Sequence, residues 1–228
     1  MIYFDNVTKQ YTDTDTEPSL EGVTFSIAPG EFVTIVGHSG AGKTTLAKLI
    51  IAEEKPTVGK VSFQSVDIHK LSNSGLTELR RKIGVVFQDF RLIANKTSFE
   101  NIAFAMEALG KDDDEIASDV MHVLSLVNLD NRSLHFPHQL SGGEKQRLAI
   151  ARAIINQPEI IIADEPTGNL DPISAGEIVN ILKRINSLGT TIILTTHNKT
   201  VVDSLGKRVI TLEKGRIIRD DKEGKYVI

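Results

Sequence analysis

The sequence predicts an α/β protein in which a parallel sheet is interrupted by a helical insert and preceded by a small antiparallel sheet. Three observations predict it. Short apolar runs, typical of buried strands, alternate with helical patterns in both halves of the chain. The first thirty residues instead alternate between apolar and polar side chains, which indicates antiparallel strands. From about Thr97 to Gln157 the pattern is helical.

The elements follow in order. Strand patterns "IYFDNVTKQY" and "LEGVTFSIA" flank a loop, "DTDTEP", and precede a buried strand, "EFVTIVG", and a helix, "GKTTLAKLIIA". A strand, "GKVSFQ", a short helix, "LTELRRK", and a strand, "IGVVFQ", lead into the helical region. Strands "EIIIAD" and "TTIILTTH" then flank the helix "DPISAGEIVNILKRINSLG". The last pattern, "KRVITLEKGRIIRD", predicts a hairpin with Gly215 in its turn.

We expect these elements to form one domain over residues 1–228. About 1–88 and 158–228 form its core and β-subdomain, and about 89–157 form a helical subdomain. The length of 228 residues suffices for one such unit.

The amino-acid composition limits the classes of protein to which this chain can belong. The 26 basic and 30 acidic side chains give a net charge of -4, without the basic excess of a nucleic-acid binder, so no nucleic-acid partner is expected. The chain has no cysteine, which fits a reducing cytoplasm and excludes thiolate metal sites. The start, "MIYFDNVTKQ", shows no signal-peptide pattern, and the longest apolar runs are too short to span a bilayer. Any work at a membrane therefore requires a membrane partner.

A phosphate-binding loop is the strongest motif. "GHSGAGKTT" matches G-x-x-x-x-G-K-[ST] between a predicted strand and a predicted helix. Backbone N–H groups of such a loop surround phosphates, the lysine reaches the β- and γ-phosphates, and the threonine hydroxyl binds Mg²⁺. The alternative is a glycine-rich turn before a helix. The nucleotide-binding residues expected here are Gly37, Ser39, Gly40, Ala41, Gly42, Lys43, Thr44 and Thr45.

Two acids follow the buried strand in "IIIADEP". Asp164 is placed to hold the Mg²⁺ shell and Glu165 to polarise the attacking water. Alone, the pair is better explained as acids at a strand end that are solvated or cap the next helix. A complete phosphate loop in the same chain favours the catalytic interpretation.

The stretch "LSGGEKQRLAIARA" places two glycines at the start of a predicted helix. Ser141 and Glu144 have the spacing of a capping box, which explains those two residues but not Gly142 and Gly143. Small residues at a helix start let a phosphate approach the backbone, so this stretch predicts a second anion site. Since one nucleotide has one γ-phosphate, we expect that site to serve a nucleotide held by another copy of the chain.

"LSGGEKQR" resembles the signature of ABC-type ATPases, and the resemblance extends over essentially the whole chain. It implies a P-loop NTPase core and a head-to-tail homodimer that encloses two ATP molecules. It also implies roles for four further residues. Tyr11 resembles the aromatic that stacks on adenine, Gln88 the glutamine that joins the Mg²⁺ shell, Asp171 a dimer-seam residue and His197 the histidine that contacts the γ-phosphate. Taken singly, Tyr11 is equally compatible with a surface aromatic, and Gln88 and His197 with turn residues.

The stretch "VVFQDFRLIANKTSFENIAFA" resembles a branch of this family that acts in bacterial cell division with an integral membrane partner. That resemblance implies a peripheral place on the inner face of the cell membrane. Two alternatives stay open: the ATPase subunit of a lipoprotein-release or macrolide-export transporter, and a soluble ATPase of DNA repair or translation. We expect Phe90 and Leu92 to form an exposed docking surface for the partner, whereas Phe99 and Ile102 are equally compatible with the chain's own core.

Overall fold

The computed structural model describes residues 1–12, 17–222 and 224. Most of the predicted "DTDTEP" loop lies outside the described residues, because 13–16 are not among them. The strands are β1 (Ile2–Lys9), β2 (Leu20–Ile27), β3 (Phe32–Val36), β4 (Val58–Phe63), β5 (Val66–Asp67), β6 (Ile83–Val86), β7 (Ile160–Asp164), β8 (Thr191–Thr196), β9 (Arg208–Glu213) and β10 (Arg216–Asp221). The α-helices are α1 (Lys43–Ile50), α2 (Asn73–Arg81), α3 (Ser98–Glu107), α4 (Asp113–Leu126), α5 (Gly142–Ile154), α6 (Pro172–Ser187) and α7 (Lys199–Leu205).

The front sheet is antiparallel, in the order β2-β1-β4-β5. Strands β1 and β2 bury alternate side chains, as the alternating pattern predicted. Phe4 lies opposite Phe25 in the register of β1 and β2, and the two rings stack with centroids 4.7 Å apart. These side chains join the core on one face of the second sheet.

The second sheet has the order β10-β9-β3-β8-β7-β6, and all its neighbours are parallel except the β9–β10 hairpin. Strands β3 and β8 are buried at every position, which explains their continuous apolar or threonine-rich sequences. The register pairs Val36 with Thr196 and Asp164 with Thr195. The carboxyl ends of β3, β8 and β7 are therefore level, and the segments that follow them meet at one edge.

The helical region predicted for 97–157 contains the three α-helices α3, α4 and α5. The connection between α4 and α5, over 127–141, includes two short 3-10 helices. Apolar side chains of α3, α4 and α5 share one core, which includes Ile102, Leu124 and Leu148. Thr97 and Glu100 form a capping box that fixes the start of α3. The helical insert is thus packed on its own centre and on one face of the parallel sheet.

The docking surface predicted at Phe90 and Leu92 is corrected by the packing. Both side chains are only partly exposed and pack against the same core as the half-buried Phe99 and the buried Ile102. Arg152 of α5 donates hydrogen bonds to the carbonyl of Phe90 at 3.0 Å and to that of Arg91 at 2.7 Å. These contacts hold the segment after β6 against the helical insert, so its apolar residues do not form an exposed cluster.

Candidate active site

The phosphate loop connects β3 to α1, and its glycines are required by close contacts. A Cβ on Gly37 would lie 2.4 Å from the carbonyl oxygen of Leu212. Gly42 has a φ of +107°, and a Cβ there would lie 2.6 Å from the carbonyl oxygen of Ser19. Any larger residue at these two positions would push the loop away from its neighbours.

Lys43, the first residue of α1, points back into the loop and is only 7% exposed. Its Nζ donates hydrogen bonds to the carbonyl oxygens of Gly37 at 2.7 Å and His38 at 3.1 Å. The same Nζ lies 3.3 Å from Oε1 of Glu165. A buried ammonium whose protein contacts are carbonyls and one carboxylate provides a fixed positive charge for an anion that enters the loop.

Asp164 ends β7 beside the phosphate loop. Its Oδ2 accepts a hydrogen bond from Oγ1 of Thr44 at 2.9 Å, and its Oδ1 accepts one from the hydroxyl of Thr195. The sequence predicted Asp164 and Thr44 for metal binding but assigned nothing to Thr195. A hydroxyl and a carboxylate oxygen in contact form a hard-oxygen pair of the kind that Mg²⁺ prefers.

Glu165 adopts a φ of 47°, in the left-handed region that non-glycine residues occupy uncommonly, and is 8% exposed. Its carboxylate lies between two cationic or donor groups. Nδ1 of His197 is 3.0 Å from Oε1, and the backbone N–H of His197 donates to Oε2 at 3.3 Å. With Lys43 on the other side, Glu165 is oriented towards the centre of the site.

A cavity of about 420 Å³ brings together half of the predicted residues. Its lining combines the phosphate loop with Gln88, Glu165 and His197. Gln88 follows β6 and reaches Gly168, where an added Cβ would lie 3.2 Å from Nε2 of Gln88. Ser19 also lines the cavity and was missed in the sequence, because its hydrogen bond to Thr45, at 2.7 Å, joins residues that are 26 positions apart.

Tyr11 lies at the margin of this region and is 45% exposed. Its hydroxyl is 3.3 Å from Oγ1 of Thr45 in α1, and Nζ of Lys9 is 4.8 Å from its ring centroid. The ring is therefore close to the phosphate loop and has an accessible face. The structure assigns the aromatic a place next to the loop, which an isolated surface tyrosine would not have.

The signature stretch forms the capped helix start that its spacing predicted. Oγ of Ser141 accepts a hydrogen bond from the N–H of Glu144 at 3.2 Å, and the glutamate Oε2 accepts one from the N–H of Ser141 at 2.8 Å. Arg132 donates to the other glutamate oxygen at 2.8 Å. These bonds, that from the Ser141 backbone above all, lower the pKa of Glu144 to about 2. The carboxylate thus remains ionised and the helix start rigid.

The two glycines of the signature differ. Gly143 is buried, and a Cβ there would lie 2.8 Å from Oγ of Ser174 in α6, so it has a packing reason that the sequence did not reveal. Gly142 is exposed, and the nearest atom to an added Cβ, Cδ2 of Leu170, is 3.4 Å away. The exposed backbone of Gly142 is the part that remains open to a ligand.

Five of the predicted residues, which belong to the signature stretch or cap α6, lie apart from the cavity of their own chain. Asp171 caps α6, where it accepts hydrogen bonds from the Ser174 hydroxyl at 2.6 Å and from two backbone N–H groups at 3.0 Å. The bond from that hydroxyl is the main reason why the pKa of Asp171 is lowered. Among the described residues, the cavity lining does not include Ser141, Gly142, Gly143, Glu144 or Asp171.

A phosphate loop after a buried parallel strand, with an Asp–Glu pair at the end of a neighbouring strand, defines a nucleoside triphosphatase. The chain belongs to the ABC transporter family, whose model matches residues 20–168. It is an ATPase with the α/β fold that its sequence predicted.

Three similar proteins from different bacteria share the name cell division ATP-binding protein FtsE. The cell division ATP-binding protein FtsE of Bacillus subtilis is 50% identical over 208 residues, which are 91% of each chain. The FtsE of Streptococcus pneumoniae is 48% identical over 99% of this chain and 97% of its own. The FtsE of Escherichia coli is 41% identical over 95% of this chain and 97% of its own.

A solved structure has the same fold. The dimeric ATP-binding cassette MJ0796, in a post-hydrolysis state bound to ADP and Pi, superposes with a TM-score of 0.89 at 37% identity. The match covers 99% of this chain and 100% of that one. In the part of the chain that the structure describes, no helix is long and apolar enough to cross a membrane.

Proposed function

We propose that two copies of this chain close head to tail around two ATP molecules, each ATP held between the phosphate loop of one copy and the Ser141 helix start of the other. The observation that carries this proposal is the separation of the two anion-binding elements within one chain. The signature start presents an exposed Ser141 and Gly142 outside its own chain's cavity. A second copy is the economical source of the missing phosphate loop. The similar cassette MJ0796 is dimeric with ADP and Pi bound, which supports a dimer.

Mg²⁺ fits the oxygen donors at the end of β7. Oγ1 of Thr44 and Oδ2 of Asp164 are 2.9 Å apart. These two oxygens would hold the ion together with the side-chain carbonyl of Gln88, which lines the cavity. When bound there, the ion would supply positive charge that offsets the charge of the phosphates.

The chain's own residues divide the work of hydrolysis. Lys43 binds the β- and γ-phosphates, and Glu165 accepts a proton from the attacking water. His197 holds Glu165 through the 3.0 Å contact and contacts the γ-phosphate. Gln88 completes the site from the end of β6, and Tyr11 stacks on the adenine. Asp171, beside the signature helix, lies at the dimer seam.

We further propose that dimer closure drives an integral membrane partner of the FtsX type and thereby regulates cell-wall hydrolysis during division. The similarity to three FtsE proteins over at least nine-tenths of the chain supports this role. The chain would then lie on the inner face of the cell membrane. We divide it into a core with β-subdomain, about 1–88 and 158–228, and a helical subdomain, about 89–157. The second candidate function is that of a transporter ATPase, and its support is that the matching family is described as ABC transporter.

The membrane partner can be tested directly. The tagged chain is isolated from detergent-solubilised membranes of its own cells, with untagged cells as the control, and the co-isolated membrane proteins are sequenced. We expect an FtsX-type protein, and depletion of the chain is expected to block septation. A lipoprotein-release or macrolide-export subunit in its place, with normal septation, would contradict the cell-division role and leave the ATPase assignment intact.

A further inference from the structure

Thr195 occupies the end of β8, between the phosphate-loop strand and the strand that carries the two acids. It is fully buried, and its hydroxyl is used twice. The hydroxyl donates a hydrogen bond to Oδ1 of Asp164 and accepts one from the backbone N–H of Glu165 at 3.0 Å. One hydroxyl has one donor and two acceptor positions, so it can make both bonds at once.

The contact with Asp164 fixes the plane of that carboxylate. The other oxygen, Oδ2, faces Thr44, which is the side where the oxygen pair would meet a metal ion. Oδ1 accepts from Thr195 on the far side. A carboxylate held at its outer oxygen cannot rotate freely, and such outer contacts orient metal-binding carboxylates in proteins.

The contact with Glu165 fixes a strained stretch of backbone. Glu165 has a φ of 47°, and its N–H is directed at Thr195, with the carbonyl oxygen at 3.1 Å in addition to the hydroxyl. This backbone conformation aims the glutamate side chain at Lys43 and His197. Without the hydroxyl, the N–H would keep only one of its two acceptors, the carbonyl oxygen of Thr195.

We propose that Thr195 is a positioning residue for ATP hydrolysis, whose hydroxyl holds Asp164 and Glu165 in register with each other. The inference rests on the proposed roles of these two acids. Thr195 is fully buried and its hydroxyl contacts Asp164 and Glu165, so it acts through these neighbours. No sequence motif assigns it, because its importance depends on the pairing of β7 with β8.

A second buried threonine provides a matched control. Thr34 lies in the adjacent strand β3 and is also fully buried. Its hydroxyl has no hydrogen-bond partner among the residues that the structure describes. Thr34→Val and Thr195→Val therefore make the same chemical change in neighbouring buried strands, but only the second removes hydrogen bonds to the site.

The test compares Thr195→Val, Thr195→Ser and Thr34→Val in the full chain. For Thr195→Val we expect kcat to fall about tenfold and the Mg²⁺ concentration for half-maximal activity to rise about tenfold, at the lower end of the range for outer-shell changes. ATP affinity measured by calorimetry in EDTA is expected to stay unchanged. Thr195→Ser, which keeps the hydroxyl, is expected to restore both values, and Thr34→Val to leave them at the wild-type level.

The outcomes separate a positioning role from a structural one. A wild-type kcat and Mg²⁺ requirement in Thr195→Val, or equal impairment of Thr195→Ser and Thr195→Val, would overturn the proposal. If Thr195→Val does not fold, Thr195→Ala replaces it in the same comparison. Asp164→Asn is measured in parallel: an unchanged Mg²⁺ requirement there would overturn the proposed metal site and the inference with it, whereas a raised one leaves Thr195 to be judged alone.

Discussion

Glu165→Gln is expected to lower kcat for ATP hydrolysis by about 10²- to 10⁴-fold, the range for loss of a general base. The amide has the shape of the carboxylate but cannot accept the proton from water. The substitution also removes the negative charge 3.3 Å from Nζ of Lys43, so the ammonium remains fully available to phosphate. ATP binding should therefore persist, and the ATP-bound dimer should accumulate.

Phosphate release and size-exclusion chromatography with and without ATP measure these two effects. Glu177→Gln is the matched control, because Glu177 contacts Arg147 on the surface of α6 and lies outside the cavity. A hydrolysis rate for Glu165→Gln close to that of the control would remove Glu165 from the base role. Loss of the dimer in the presence of ATP would separately contradict the expected accumulation of the ATP-bound dimer.

Lys43→Ala is expected to weaken ATP binding by about a hundredfold or more, since charge-assisted contacts to phosphate are among the strongest a site offers. The lysine is buried and already positioned by the carbonyls of Gly37 and His38, so its charge cannot be replaced from the surface. Isothermal titration calorimetry of ATP gives the affinity.

Lys48→Ala, in the last turn of the same helix, is the control for loss of a lysine from α1. Thermal unfolding of both variants checks that the fold is intact, because Lys43→Ala leaves Glu165 without its ammonium. Unchanged affinity in folded Lys43→Ala would mean that ATP does not bind at this loop.

Local chemistry made much of the fold predictable. The closing hairpin has Lys214 at φ 46° and Gly215 at φ +74°, the two left-handed positions of a tight turn. The glycine made this turn predictable from the sequence. Helix α7 was missed because seven residues are too short to show a period. Its start depends on Asn198, whose side chain accepts from the N–H groups of Thr200 and Val201.

The site divides in the same way. Loop and strand-end motifs are contiguous in the chain, so the phosphate loop and the pair Asp164 and Glu165 could be found without a structure. Thr195 and Ser19 could not, because each contacts a residue that is distant in the chain: Asp164 in β7 for Thr195 and Thr45 in α1 for Ser19. Phe90 and Leu92 were misjudged for a related reason: sequence shows that a residue is apolar, but only the fold shows Arg152 and the helical core holding their segment in place.

Mixing two inactive variants shows whether each active site is shared by two chains. Ser141→Arg places a bulky side chain at the signature, and Lys43→Ala disables the phosphate loop. Each alone is expected to be nearly inactive in hydrolysis, while Ser141→Arg still binds ATP as a monomer. Ser72→Arg, at the exposed cap of α2, controls for an added arginine at a helix start.

In an equimolar mixture, a head-to-tail pair of unlike chains has one site with both defects and one with neither, so about a quarter of all sites are intact. We expect the ATPase activity of the mixture to exceed the summed activities of the two separate variants by about a quarter of the wild-type activity. Activity no greater than the sum, or wild-type activity of Ser141→Arg alone, would contradict a site built from two chains.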